Sequence, residues 1–130
     1  MANQFVVQLT NQPGALAVLA EALAGAGVDL RAIGGGGIGD AGHVIMTTAD
    51  DERTRTVLDA GGYTYIAGES ILAEVDDRPG GMAAIARALA DAGVNIYGHL
   101  FIGRWGDRAT FAFVVDDPAR ARPILERKAR

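Results

Sequence analysis

Apolar and polar residues alternate over Phe5-Val6-Val7-Gln8-Leu9, which sends Phe5, Val7 and Leu9 to one face and predicts a strand. From Ala15 to Ala26 the period changes: Leu16, Leu19, Ala20 and Leu23 recur at helical spacing, and Gly27 supplies the stop of an amphipathic helix. Val28 to Ile33 alternates again, and His43 to Thr48 reads as its partner strand. The glycine run 34–37, with Gly39 and Gly42, reads as a flexible hairpin loop between them. Asp50 or Asp51 caps a helix running to Ala60, Gly61-Gly62 ends it, and Tyr63 to Ala67 is rich in strand formers. The first half is therefore β-α-β-β-α-β.

The pattern then repeats. With a constant offset of 66, Pro13 to Leu30 aligns with Pro79 to Ile96, and ten of those eighteen positions are identical. Self-similarity on this scale marks a duplicated structural unit, and Asp50-Asp51 falls on Asp116-Asp117 in the same alignment. The second copy predicts a strand at 71–75, a helix at 81–92, strands at 94–102 and 109–115, and a helix from Pro118. Arg130 falls opposite Thr64, so the second unit lacks its last strand. The expected fold class is α+β, with two ferredoxin-like units at 1–68 and 69–130, each an antiparallel sheet of order 4-1-3-2 with both helices on one face. Only Gly68, Glu69 and Ser70 separate strand 63–67 from strand 71–75, a reach of about 14 Å. That is too short if the units meet only through their second strands, ~29 Å apart at ~4.8 Å per strand. The expectation is a seven-stranded sheet in which strand 63–67 serves both units; the alternative is a partner chain that supplies the missing strand.

A net charge of −4 leaves no electrostatic footprint for nucleic acid or an anionic membrane. The absence of cysteine excludes disulfides, thiol nucleophiles and thiolate metal sites, and matches a cytosolic protein. Residues 1–5 carry no basic, apolar signal pattern, and no apolar run approaches the ~18 residues of a membrane span. An intracellular soluble protein is expected.

Both copies place Pro-Gly between an apolar strand and a helix, in Thr10-Asn11-Gln12-Pro13-Gly14-Ala15-Leu16 and Asp76-Asp77-Arg78-Pro79-Gly80-Gly81-Met82. The first N–H groups of a helix have no partner within it, and glycine removes side chains that would hold a ligand off, so an anion such as a carboxylate fits there. Simple turn punctuation and N-capping by Asn11, Asp76 and Asp77 are the plainer reading. Together with Ala92-Gly93-Val94-Asn95-Ile96, these motifs resemble the ACT domain, a small regulatory amino-acid-binding module. The resemblance covers nearly the whole chain, which looks like the free-standing tandem ACT proteins; the second copy is the stronger match, and the first carries Asp29 where Asn is common.

The resemblance implies binding and regulation without catalysis, a ligand between adjacent modules, a homodimer and a regulated enzyme partner. A free amino acid needs N–H donors for its carboxylate and oxygens for its ammonium. In the second copy Gly80, Gly81 and Met82 would hold the carboxylate, with Asp76 or Asp77 and Asn95 on the ammonium. In the first, Gly14, Ala15 and Leu16 would take the anion role, with Asn11 and Asp29 as polar partners. Arg78 is either a pointer to an acidic side chain or an exposed turn residue.

Other features carry less. Glycines 34, 36 and 39 match G-x-G-x-x-G, but a strand follows where a nucleotide site needs a helix, so the loop reads as a mobile hairpin or a lid. His43 and His99 lack a second ligand on their own elements, which leaves neither a metal site nor a general base. Tyr97, His99 and Phe101 share one strand face opposite Ile96, Leu100 and Ile102, which suggests packing against the other unit or a second chain. Trp105 is either a hairpin ornament or an interface anchor. The acidic pairs precede helices, where capping explains them, and the basic tail from Arg120 suits a helix C-terminus. No catalytic or metal-binding constellation and no cofactor are expected. The functional expectation is a sensor of an amino acid or related carboxylate, with a ligand-free structural or interaction module as the alternative and a cofactor-independent enzyme as a third.

Overall fold

The computed structural model describes residues 3–128. Met1, Ala2, Ala129 and Arg130, and with them the extreme ends of the N-terminal segment and of the basic tail, lie outside the described residues. The chain divides into two compact units, Met1–Gly68 and Glu69–Arg130. The first runs β1 (Asn3–Thr10), α1 (Ala15–Gly25), β2 (Leu30–Ile38), β3 (Ala41–Thr48), α2 (Asp51–Ala60) and β4 (Tyr65–Glu69). The second runs β5 (Ile71–Asp76), α3 (Gly81–Asp91), β6 (Ile96–Trp105), β7 (Arg108–Val115) and α4 (Pro118–Lys128). The sheets have orders β2-β3-β1-β4 and β5-β7-β6, the α+β ferredoxin-like plan in antiparallel form, and among the described residues the second sheet has three strands.

The shared strand is not formed, because β4 and β5 belong to different sheets. The reason lies in the connection. β4 runs on through Glu69, two residues further than its composition indicated, so only Ser70 separates it from β5, whereas the tightest common hairpin needs two loop residues.

Alternation and helical period converge on one core per unit. In the first, Phe5 and Val7 of β1 and Val44 and Met46 of β3 pack against Leu19 and Leu23 of α1 and Leu58 of α2, so both helices cover one sheet face. In the second, Ile71, Ala73, Val75, Phe113 and Val115 meet Ile85 and Leu89 of α3 and Ala121 and Leu125 of α4. Leu16, which the helical period placed with Leu19 and Leu23, is 50% exposed in the first turn of α1.

The glycine run is not a loop. Gly34, Gly35, Gly36 and Gly37 lie in β2 and pair with Ile45, Val44, His43 and Gly42, and the hairpin turn is only Gly39-Asp40. Close approach explains the composition: a Cβ on Gly35 would stand 2.3 Å from the His43 carbonyl oxygen, and one on Gly37 would stand 2.6 Å from the Asn11 side chain. The run is thus a paired strand, neither a mobile hairpin loop nor a lid.

Nor is the offset between the copies constant. β2 carries one bulge, between Leu30 and Ala32, whereas β6 carries two, between Ile96 and Gly98 and between Phe101 and Gly103. The second bulge in β6 inserts one residue, and beyond it equivalent positions are 67 apart. The turn glycines are Gly39 and Gly106, with φ of 60° and 61°. Asp50 accepts the Arg53 N–H at 3.0 Å as Asp117 accepts the Arg120 N–H at 3.1 Å. Arg53 and Arg120 each donate Nη1 at 3.1 Å to the carbonyl at the end of the preceding helix, Ala26 and Ala92. Asp50-Asp51 thus corresponds to Asp117-Pro118. The bulges also break the strict alternation expected of β6: His99 and Phe101 share a face with Ile96, and Tyr97 and Phe101 are about half exposed.

This register pairs Thr48 and Thr54 with Val115 and Ala121. The two hydroxyls are buried and 2.7 Å apart, and Thr54 Oγ1 also donates to the Asp50 carbonyl at 2.8 Å. Thr54→Ala alone is expected to cost ~1–3 kcal/mol, since it leaves the buried Thr48 hydroxyl short of a partner. Combined with Thr48→Val, which copies the second unit, it should cost less than the sum of the two single changes. Urea denaturation of the four proteins measures this, and simple additivity would contradict it.

Candidate functional site

In each unit the strand-to-helix corner is tied to the hairpin turn beside it. Asn11 N–H donates to the Asp40 carbonyl at 3.0 Å, and Asp77 N–H donates to the Asp107 carbonyl at 2.8 Å. Gly14 and Gly80 precede their helices in the left-handed conformation, φ 89° and 93°, and no side chain caps either helix. The Ala15 amide donates to the Gln12 carbonyl at 3.2 Å, and the Gly81 amide to the Arg78 carbonyl at 3.1 Å. Neither is available to a ligand. Among the described residues, the amides without an acceptor in the first turns are those of Leu16 and Ala17 and of Met82 and Ala83.

Two clefts flank the first corner. One of about 480 Å³ runs between residues 9–16 and β2, lined by Asn11, Ala15, Leu16, Ile33, Val44 and the glycines 34–37. The other, about 670 Å³, lies on the β4 side and is lined by Ala15, Val18, His43 and residues 61–64. Asn11 Nδ2 donates to the Gly39 carbonyl at 2.8 Å, which leaves Oδ1 as the acceptor beside the first cleft. Asn11, Ala15 and Leu16 thus come together at one mouth, next to Gly14.

Asp29 does not join them. Leu30 pairs with Thr48 at one end of the sheet, while Ile38 and Thr10 both pair with Ala41 at the other. About eight residues at ~3.3 Å each put Asp29 roughly 25 Å from the corner of its own unit. Its carboxylate lies 3.4 Å from Arg31, with both side chains exposed. Asn95 stands at the same end of the second sheet, where its N–H donates to Asp116 Oδ1 at 2.9 Å and its carbonyl accepts the Asp116 N–H at 3.0 Å.

The second corner is filled by its own side chains. Asp76 accepts from Arg78 Nη2 at 3.0 Å and from Arg108 Nη1 at 2.8 Å, and Asp77 accepts from Arg104 Nε at 2.8 Å. An ammonium would have to displace a guanidinium from either carboxylate. The hydrogen bond and charge of Arg78, then the Arg108 guanidinium, hold the Asp76 carboxyl below the usual carboxylate range. A carboxyl with a depressed pKa stabilises the fold at pH above its unfolded value, and that contribution is lost as pH falls through the folded value. Met82 packs against the core, and a Cβ on Gly81 would stand 2.1 Å from the Asp76 carbonyl oxygen. A smaller cleft, about 310 Å³, remains beside Asp76, Arg78, Gly80, Gly81 and Arg108.

Among the described residues, no three His, Asp or Glu side chains are gathered for a metal ion, and no helix is long and apolar enough to cross a membrane. The Trp105 indole lies over Gly103, where an added Cβ would meet the ring at 2.8 Å, so the ring packs on its own hairpin. The β2 glycines, Ile33 and Val44 were missed as lining residues from sequence. A signal was present: where the first copy has Gly34-Gly35, the second has Leu100-Phe101.

No protein-family model matches the chain, and no curated protein sequence does. Solved structures are similar over almost its whole length. Protein BT0572 from Bacteroides thetaiotaomicron matches with a TM-score of 0.72 at 20% identity, over 98% of this chain and 88% of that one. The regulatory subunit of aspartate kinase from Thermus thermophilus, in a ligand-free form, matches with a TM-score of 0.61 at 18% identity, over 99% and 92%. The aspartokinase alpha and beta subunits give 0.63 at 18%, over 98% and 91%. At these identities the likeness shows the fold, two α+β units of ferredoxin-like plan in tandem.

Proposed function

We propose that this chain, with its tandem ACT-type fold, is a regulatory module that binds a free amino acid or a related small carboxylate and passes its occupancy to a partner. The observation that carries the reading is the first corner. A glycine with positive φ opens α1, two first-turn amides lack acceptors, and a cleft with a free amide oxygen adjoins them. The Leu16 and Ala17 N–H groups suit a carboxylate at the positive end of the helix, and Asn11 Oδ1 suits an ammonium. Regulation is supported by the likeness to a protein described as a regulatory subunit of aspartate kinase, and an enzyme partner is the corresponding proposal. A homodimer would let a second chain bring Asp29 or Asn95 to a corner, or add a strand at β5, which is an edge strand. The proposed role is binding, in an intracellular soluble protein, without chemistry on the ligand.

Thermal unfolding of the full chain against the common amino acids tests this: at least one should raise the midpoint, and none should be turned over. A second reading, a structural or interaction module without a ligand, is favoured by the filled second corner. An unmoved midpoint across the whole panel would select it.

A further inference from the structure

The duplication supplies an internal comparison. Gly35 pairs with Val44 as Phe101 pairs with Phe111, so a glycine in the first unit corresponds to a phenylalanine in the second. Likewise Gly37, opposite Gly42, corresponds to Arg104, opposite Ala109. The Phe101 ring packs edge-on against Phe111 at 5.6 Å, and the Arg104 guanidinium lies 4.8 Å over it while reaching Asp77. A ring and a guanidinium thus stand in the second unit at positions where the first has glycines lining a cleft. The bulge beside Phe101 re-aims the strand there.

The chemistry of the open cleft also differs. Its lining contains no Asp, Glu, Lys or Arg, and its larger apolar side chains are Leu9, Leu16, Ile33 and Val44, beside the polar Thr10, Asn11, Gln12 and His43. The cleft that remains in the second unit is lined by Glu74, Asp76, Arg78 and Arg108, and its residues Glu74, Asp76, Gly81, Ala84 and Arg108 answer to Gln8, Thr10, Ala15, Val18 and Ala41 of the first unit's β4-side cleft. Leu16 and Ile33 stand half exposed at 50% and 47%, apolar surface that an occupant would cover. A charged occupant would lose water there and meet no counter-charge, and a cleft of about 480 Å³ is of ordinary ligand size.

We propose that the first-unit cleft takes the uncharged, branched apolar side chain of an amino acid, and that the second unit takes none, giving one ligand per chain. This rests on the amino-acid reading above and adds the side-chain class and the stoichiometry.

Calorimetric titration of the full chain with L-leucine, L-isoleucine, L-valine, L-aspartate and L-lysine tests it. At least one of the three apolar ligands should bind, at one per chain and roughly tenfold or more tighter than aspartate or lysine. Leu16→Glu and Ile33→Glu should each weaken that binding by about tenfold, and because both sites are half exposed the variants should keep their unfolding midpoints. Phe101→Ala, in the second unit, should leave it unchanged. Tighter binding of aspartate or lysine, two sites per chain, or loss of binding in Phe101→Ala but not in Leu16→Glu would overturn the inference and leave the amino-acid reading standing. Binding by none of the five, nor by any other common amino acid, would overturn both.

Discussion

Phe113→Ala is expected to destabilise the second unit by ~3–5 kcal/mol, the cost of a large cavity in a core that relaxes only in part. Phe113 is fully buried on β7, the central strand of its sheet, where it pairs with Ile71 on one side and His99 on the other. A unit of this size has a marginal core and a total stability of ~5–15 kcal/mol at most, so the loss removes a large part of it. The measurement is amide hydrogen exchange on the full chain: β5 and β7 should lose protection, and β1 and β3 should keep theirs. Phe101→Ala, at a half-exposed ring, should cost less than ~1 kcal/mol. Equal effects at 101 and 113 would contradict the core assignment.

Much of the fold was legible because it rests on periodicity. Phe5 and Val7 alternate, Leu19 and Leu23 recur at helical spacing, and the glycines at 27 and 93 end their helices with φ of 76° and 75°. What the sequence did not carry was set by tertiary geometry. The glycines 34–37 looked like a loop because glycine is ambiguous alone; only the nearness of the His43 carbonyl and the Asn11 side chain shows why a strand there must lack side chains. The extra residue of β6 was hidden because the copies align without a gap over their most similar stretch, and the bulge lies beyond it.

The candidate site was half legible for a similar reason. Asn11, Gly14 and Leu16 are neighbours in sequence and stay neighbours in space. Joining Asp29 to them relied on a resemblance, and strand length separates them within one unit. Asp76 and Asp77 looked free because two of their partners, Arg104 and Arg108, lie roughly thirty residues further along the chain, although Arg78, which also binds Asp76, is close in sequence.

A bound amino acid should stabilise the chain by about 2.7 kcal/mol at 100 times its dissociation constant, provided that the unfolded chain does not bind it. This is the second large effect expected, and on the proposal above it belongs to the first unit. There, Leu16 and Ala17 offer two amides beside an open cleft, whereas at the second corner the carboxylates are held by arginines. Stabilisation by itself does not locate the ligand. The most direct measurement follows backbone amide resonances as the stabilising amino acid is added. The largest shifts should fall on Gly14, Leu16 and Ala17, with Gly80, Met82 and Ala83 unmoved. Shifts concentrated at the second corner, or none at either corner while the chain is stabilised, would contradict a carboxylate site at the start of α1.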